Sequence, residues 1–171
     1  MKRRILDMVM FVALTVLPVG VKGESTASAT SSAKATILEI LQLTKVQDLN
    51  FGRISNGAVG AVVLTTDGDR TTSGVTPIGE SGWTPARFEV RGTEDYEYYI
   101  GLPSDITLEK NGNQIVIENL VARPSSSSSN GLVGVVSSDA YFTVGGELVI
   151  ESATLPPGEY KTSFEVSVGY N

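Results

Sequence analysis

Few residues in this sequence could do chemistry, and the closest of them are two acidic pairs. Asp67-Gly68-Asp69 and Glu94-Asp95 bring carboxylates together, the arrangement that acid and base work on a glycosidic bond requires. The same oxygens suit a hard cation, so calcium at Asp67 and Asp69 is one expectation, although the full loop spacing of a calcium hand is missing. Both pairs stand in predicted turns, where Asp and Gly serve backbone geometry. The 171 residues include no cysteine and no histidine. That removes thiol nucleophiles, disulfides, ordinary zinc sites and the commonest general base. The sequence therefore predicts no enzyme, no catalytic residue, no cofactor and no small-molecule substrate.

Aromatic side chains are the second resource. Trp83, Tyr96, Tyr98, Tyr99 and Tyr141 offer faces on which an apolar ligand surface would lie. Tyr96 and Tyr98 alternate with charged neighbours, as strand residues facing a core do, which leaves Trp83, in a loop beside Pro85, as the surface contact. Arg53, Arg70, Arg87 and Arg91 are scattered along the chain and predict no basic patch.

These residues must be held by elements that begin after a leader. Lys2, Arg3 and Arg4 precede an apolar run over residues 8–19, and small residues follow at Gly23, Ala27 and Ala29. This is the pattern of a secretory signal peptide over residues 1–23, with cleavage after Gly23 or after Ala29. The run is shorter than the roughly 20 residues of a membrane span. Residues 1–23 hold four basic residues and one acidic residue, so their removal leaves 9 Lys and Arg against 18 Asp and Glu, a net charge of −9. Such a balance argues against nucleic acid and against an anionic membrane surface as partners.

Residues 24–35 form a Ser, Thr and Ala arm that is flexible by itself. Ala27, Ala29, Ala33 and Ala35 fall on odd positions that run into Ile37, one small apolar face if the arm is extended. From residue 36 to 171 the pattern is that of one β domain. A dense apolar run over 36–43 reads as a strand, and so does 60–66, closed by Asp67-Gly68-Asp69. Ala86, Phe88 and Val90 alternate with charged residues, and Tyr96, Tyr98, Ile100 and Leu102 do the same before Pro103. Asn111-Gly112 between two strand patterns marks a hairpin. Residues 125–129 are all serine and read as a loop tip that packs against nothing. Residues 141–150 read as a strand pair or as one strand bent at Gly145-Gly146. No helix is predicted after the leader. Many short strands separated by turns mean an antiparallel sandwich or barrel.

The last strand carries the strongest signal. Tyr160, Phe164, Val166, Val168 and Tyr170 share one face over 160–170, and Pro156-Pro157-Gly158 starts the strand cleanly. Gly158 is fourteenth from the end and Tyr170 penultimate. That pairing resembles the C-terminal signature of chaperone-usher pilus subunits. Leu49-Asn50-Phe51-Gly52, the turn at Arg70, Val144-Gly145-Gly146 with Leu148, and the last fourteen residues also resemble a family of bacterial exported domains of unknown function.

The resemblance implies an all-β, immunoglobulin-like antiparallel β-sandwich that lacks its last strand. It implies a fimbrial subunit assembled by donor-strand exchange, with adhesion as the output. A periplasmic chaperone, an outer-membrane usher and further pilus subunits, copies of this chain among them, would be the partners. The chain would cross the periplasm to the cell surface. Gly158, Tyr160, Phe164, Val166, Val168 and Tyr170 would then form the acceptor, and Ala27, Ala29, Ala33, Ala35 and Ile37 the donor. Two features depart from the pilin pattern: the arm bears alanines where donors carry large hydrophobic residues, and the cysteine pair of many pilins is missing. The competing reading is a monomeric secreted or periplasmic sandwich that binds a glycan or protein.

Overall fold

The computed structural model describes residues 26–171. The leader expected over 1–23, with the first two residues of the arm, lies outside the described residues. Two units separate at Ala35 and Thr36. Residues 26–35 have no strand or helix and are exposed; the second unit carries the fold.

That unit has twelve strands and, among the described residues, no helix: β1 (Gln42–Gln47), β2 (Arg53–Ile54), β3 (Gly60–Leu64), β4 (Arg70–Ser73), β5 (Pro77–Ile78), β6 (Ala86–Arg91), β7 (Glu97–Gly101), β8 (Ile106–Lys110), β9 (Asn113–Pro124), β10 (Val133–Val135), β11 (Tyr141–Ile150) and β12 (Ser167–Tyr170). All pairings are antiparallel, and they form an all-β sandwich as expected.

The organising strand is β11. Its first half pairs with β6 and its second half with β3, while β9 runs along its other edge. With β1 beyond β6, β4 beyond β3 and β8 beyond β9, this makes a seven-stranded sheet. The register against β9 shifts between Gly145 and Glu147, so residues 141–150 are one strand with a bulge, the second of the two alternatives in the sequence. Gly145 is required there, because a Cβ would run into the Leu64 carbonyl of β3. Asn111 and Gly112 take φ of 49° and 79° between paired Lys110 and Asn113, the left-handed turn that a two-residue hairpin needs.

The opposing layer is uneven. A three-stranded sheet in the order β10, β7, β12 covers one end. Between it and the large sheet lies a first core of Phe88 and Val90 from β6, Tyr98 and Ile100 from β7, and Phe142 and Val144 from β11. The Phe88 and Phe142 rings stack at 5.2 Å. A second core sits under the other end, with Val62 and Leu64 from β3, Ile115 and Ile117 from β9, Leu148 and Ile150 from β11, and Phe51. Irregular chain over residues 48–58 and 151–166, with the small β2 and β5 pair, is what covers it.

Several expectations shift. The strand expected over 36–43 begins at Gln42 instead, because β1 is defined by pairing with β6 and not by its apolar run. Leu41 and Leu43 pack against the first core while Ile37 stays 95% exposed. The terminal strand expected over 160–170 keeps its alternation, but ladder pairing with β7 is confined to Ser167–Tyr170. The serine loop is not idle: Ser125 Oγ accepts the Tyr141 N–H and Ser126 Oγ accepts the Val135 N–H.

Candidate functional site

The thin cover over the second core leaves a cleft of about 1430 Å³. Its floor is core: Phe88, Ile115, Ile117, Leu148 and Ile150 all reach it. One wall is residues 48–56 and the other residues 155–164. An apolar floor thus lies between two lengths of irregular chain.

The two walls are held very differently. Asn50 and Thr84 exchange both backbone hydrogen bonds at 2.8 Å. Thr84 Oγ1 donates to the Asp48 carbonyl at 2.9 Å, and Asn50 Oδ1 accepts the Gly52 N–H at 2.8 Å. Behind this wall stands Arg70, whose Nη2 donates to the Arg53 carbonyl at 2.9 Å while its guanidinium lies 5.0 Å from the Trp83 ring centroid. Gly52 has φ of 77°, and a Cβ there would press on Arg70 Nη1, so only glycine lets the wall lie against the arginine. Arg70 Nε and Nη1 are buried without a hydrogen-bond partner, and burial lowers the guanidinium's pKa from its ordinary value.

The second wall has few ties. Lys110 Nζ donates to the Pro157 carbonyl and lies over the Tyr160 ring at 6.0 Å. Glu109 N–H reaches the Lys161 carbonyl at a long 3.5 Å. No hydrogen bond to a described residue ties the backbone of 162–165. Thr162, Ser163 and Glu165 are exposed and Phe164 is half-buried, so the backbone groups of this stretch stand open to solvent.

The predicted acceptor residues fall on this wall and its continuation into β12. Tyr160 and Phe164 line the cleft and pack on the second core, while Phe164, Val166, Val168 and Tyr170 pack on the first. Thr162, on the same parity, is exposed. Gly158 is exposed, with φ of 138° and Lys110 where a Cβ would stand, which is a reason within this chain for glycine at that place. Tyr170 is engaged at its hydroxyl: it donates to the Glu39 carbonyl and accepts the Thr93 N–H, both at 2.8 Å. Thr93 Oγ1 in turn accepts the Glu39 N–H at 2.7 Å. Of the donor candidates, Ala27, Ala29, Ala33 and Ala35 are exposed and outside any strand, as is Ile37.

Other sequence candidates resolve differently. Trp83 is no free surface contact: its indole N–H donates to the Gly68 carbonyl at 3.1 Å and one flank carries Arg70. Tyr98 is fully buried, whereas Tyr96 is 39% exposed and meets Tyr170 edge to face. Asp67 is engaged by Arg123, and among the described residues no three acidic side chains gather around a cation position. Sequence reasoning missed Arg70 as a pillar of the cleft. Its signal was present in the same positions, Gly52, Arg70 and Trp83, but not in their sequence spacing.

Residues 41–170 match a family described as a domain of unknown function, DUF4402. No curated protein and no solved structure matches the chain.

Proposed function

The chain belongs to the DUF4402 family, and from that premise we propose that it is the structural subunit of a fimbria or related surface filament, built by donor-strand exchange. The observation that carries this reading is the cleft of about 1430 Å³ whose floor is hydrophobic core and whose second wall, at 162–165, has no backbone hydrogen bond to a described residue. A complete sandwich closes such an opening with its own strand; here a strand from another molecule takes that place. Main-chain hydrogen bonds to the wall align the incoming strand, and its alternate side chains enter between Tyr160 and Phe164 and the floor. Before assembly a periplasmic chaperone supplies the strand and an outer-membrane usher receives the subunit; afterwards the next copy supplies it. A head-to-tail contact of this kind propagates as an open filament, and adhesion is its output.

The donor in this proposal is the arm over residues 24–35, extended by Ile37. Alanine knobs remove little apolar area from water at about 25 cal/mol per Å², so Ile37 supplies the largest single contact. Size-exclusion chromatography with light scattering, on the exported chain with and without residues 24–35, tests the reading. The intact chain should give a ladder of heat-resistant polymers and the shortened chain a monomer. Two monomers with the same cooperative melt would replace the filament by a secreted binding domain.

A further inference from the structure

The large sheet turns its other face to solvent, and the register places three residues in a row across it. Arg87 on β6 stands opposite Thr143 on β11, and Thr143 stands opposite Arg123 on β9. With strands about 4.8 Å apart, the two arginine backbones are separated by about 10 Å with the threonine between them. Long side chains span that distance easily. Arg87, Arg123, Thr143 and Tyr141 are all half-buried.

Each of the three is electrically incomplete or engaged by a replaceable partner. The Arg87 guanidinium lies 3.7 Å from the Tyr141 ring centroid and makes no ion pair with a described carboxylate. Stacking uses the face of the guanidinium and leaves its in-plane N–H donors free. Thr143 Oγ1 is buried without a hydrogen-bond partner, which is costly for a hydroxyl that has left water. Arg123 is held by the carboxylate of Asp67, whose side chain is 55% exposed on the turn between β3 and β4. One carboxylate has thus already docked at the edge of the row.

We propose that Arg87, Thr143 and Arg123 form a binding site for an oxyanion, a carboxylate or sulfate group, with Asp67 as its internal competitor. The incoming oxygens take the free Arg87 donors, satisfy the Thr143 hydroxyl and displace Asp67 from Arg123, exchanging one charge-assisted pair for another. The chain's formal net charge of −6 repels anions at long range, so retention depends on these short-range donors. The group is a free small anion or is carried on an acidic saccharide, and the two sources share this chemistry. The site stands apart from the cleft and does not depend on filament assembly.

Amide NMR titration of the chain with sodium sulfate, with sodium glucuronate and with a polyglucuronate tests the site. The expected result is saturable shifts centred on residues 87, 143 and 123 with at least one probe. Tightening with the polymer identifies the saccharide source, and equal affinity for sulfate identifies the free anion. Asp67→Asn should tighten binding about tenfold, equivalent to 1.4 kcal/mol, and Arg87→Gln should weaken it by at least that factor. Thr143→Val keeps both charges and the side-chain shape, and should weaken binding several-fold even if an arginine variant fails to fold. Linear, unsaturated shifts, or equal affinity in the wild type, Asp67→Asn and Thr143→Val, would overturn the proposal.

Discussion

The two cores of this sandwich are built on the same strand and finished in opposite ways. The first lies between two sheets, with Tyr98, Ile100, Phe142 and Val144 all at 0% exposure. The second uses the other halves of β9 and β11 but is roofed by irregular chain: Val62 and Leu64 are fully buried, while Ile115 and Ile150, which reach the cleft, keep 9% and 8% of their surface in water. A hydrophobic floor does not make a closed core. Closure needs a second layer with its own ladder, and where that layer is irregular core residues come to line a cleft.

The sharpest way to break this contrast is to truncate matched side chains. Phe142→Ala should destabilise the domain by about 3–5 kcal/mol, because the stacked Phe88 and the covering sheet cannot collapse into the space. Ile150→Ala in the second core should cost less, about 2 kcal/mol, since its surroundings already open to the cleft. Urea unfolding followed by circular dichroism measures both, and equal losses would mean that the cores are equally closed. Arg70→Met comes next: it removes the bond to Arg53 and should cost about 1–2 kcal/mol. Hydrogen exchange should then quicken in 48–54 and stay unchanged in 162–165, whose amides make no hydrogen bond to a described residue.

The smallest effect at neutral pH concerns Tyr98, whose hydroxyl is buried without a partner. Desolvation pushes its pKa up from 10.0 to about 12. The folded state therefore keeps this proton while the unfolded state releases it. Stability is unaffected below pH 10 and falls by about 1.4 kcal/mol per pH unit between 10 and 12. Tyr98→Phe should remove that share of the alkaline slope. At neutral pH it should be neutral or stabilising by up to about 1 kcal/mol, because no hydrogen bond is lost. A marked destabilisation at neutral pH would show that the hydroxyl has a partner.

The parts of this fold legible in the sequence are those whose signal is local. The alternation of Ala86, Phe88 and Val90 and the Asn111-Gly112 turn each contain their own instructions, and both stand as expected. Strands β4 and β10 have no apolar alternation and exist because β3 and β7 offer them an edge. The period-2 pattern over 160–170 outruns the ladder of β12 for the same reason: period 2 shows which face is buried, and ladder pairing depends on what lies beside it. Phe164 keeps its inward face beyond the end of the ladder. The cleft was legible in its second wall, through Tyr160 and Phe164. Its first wall rests on Arg70, seventeen residues from the carbonyl it holds. The arginines that look scattered along the chain include one, Arg87, that register brings beside Thr143 and Arg123 across strands far apart in sequence.

The knot at Tyr170 has a consequence in time. Its hydroxyl meets the Glu39 carbonyl across 131 residues of chain, so residue 39 must wait for nearly all of the remaining domain to be made before it can be held. Loop-closure entropy grows only logarithmically with length, so the contact is affordable at equilibrium, yet contacts of such sequence separation form late and slow the search. The seam between residue 39 and the last strand is therefore completed only once that strand is in place. Until Tyr170 arrives, the Glu39 carbonyl has no hydroxyl to hold it.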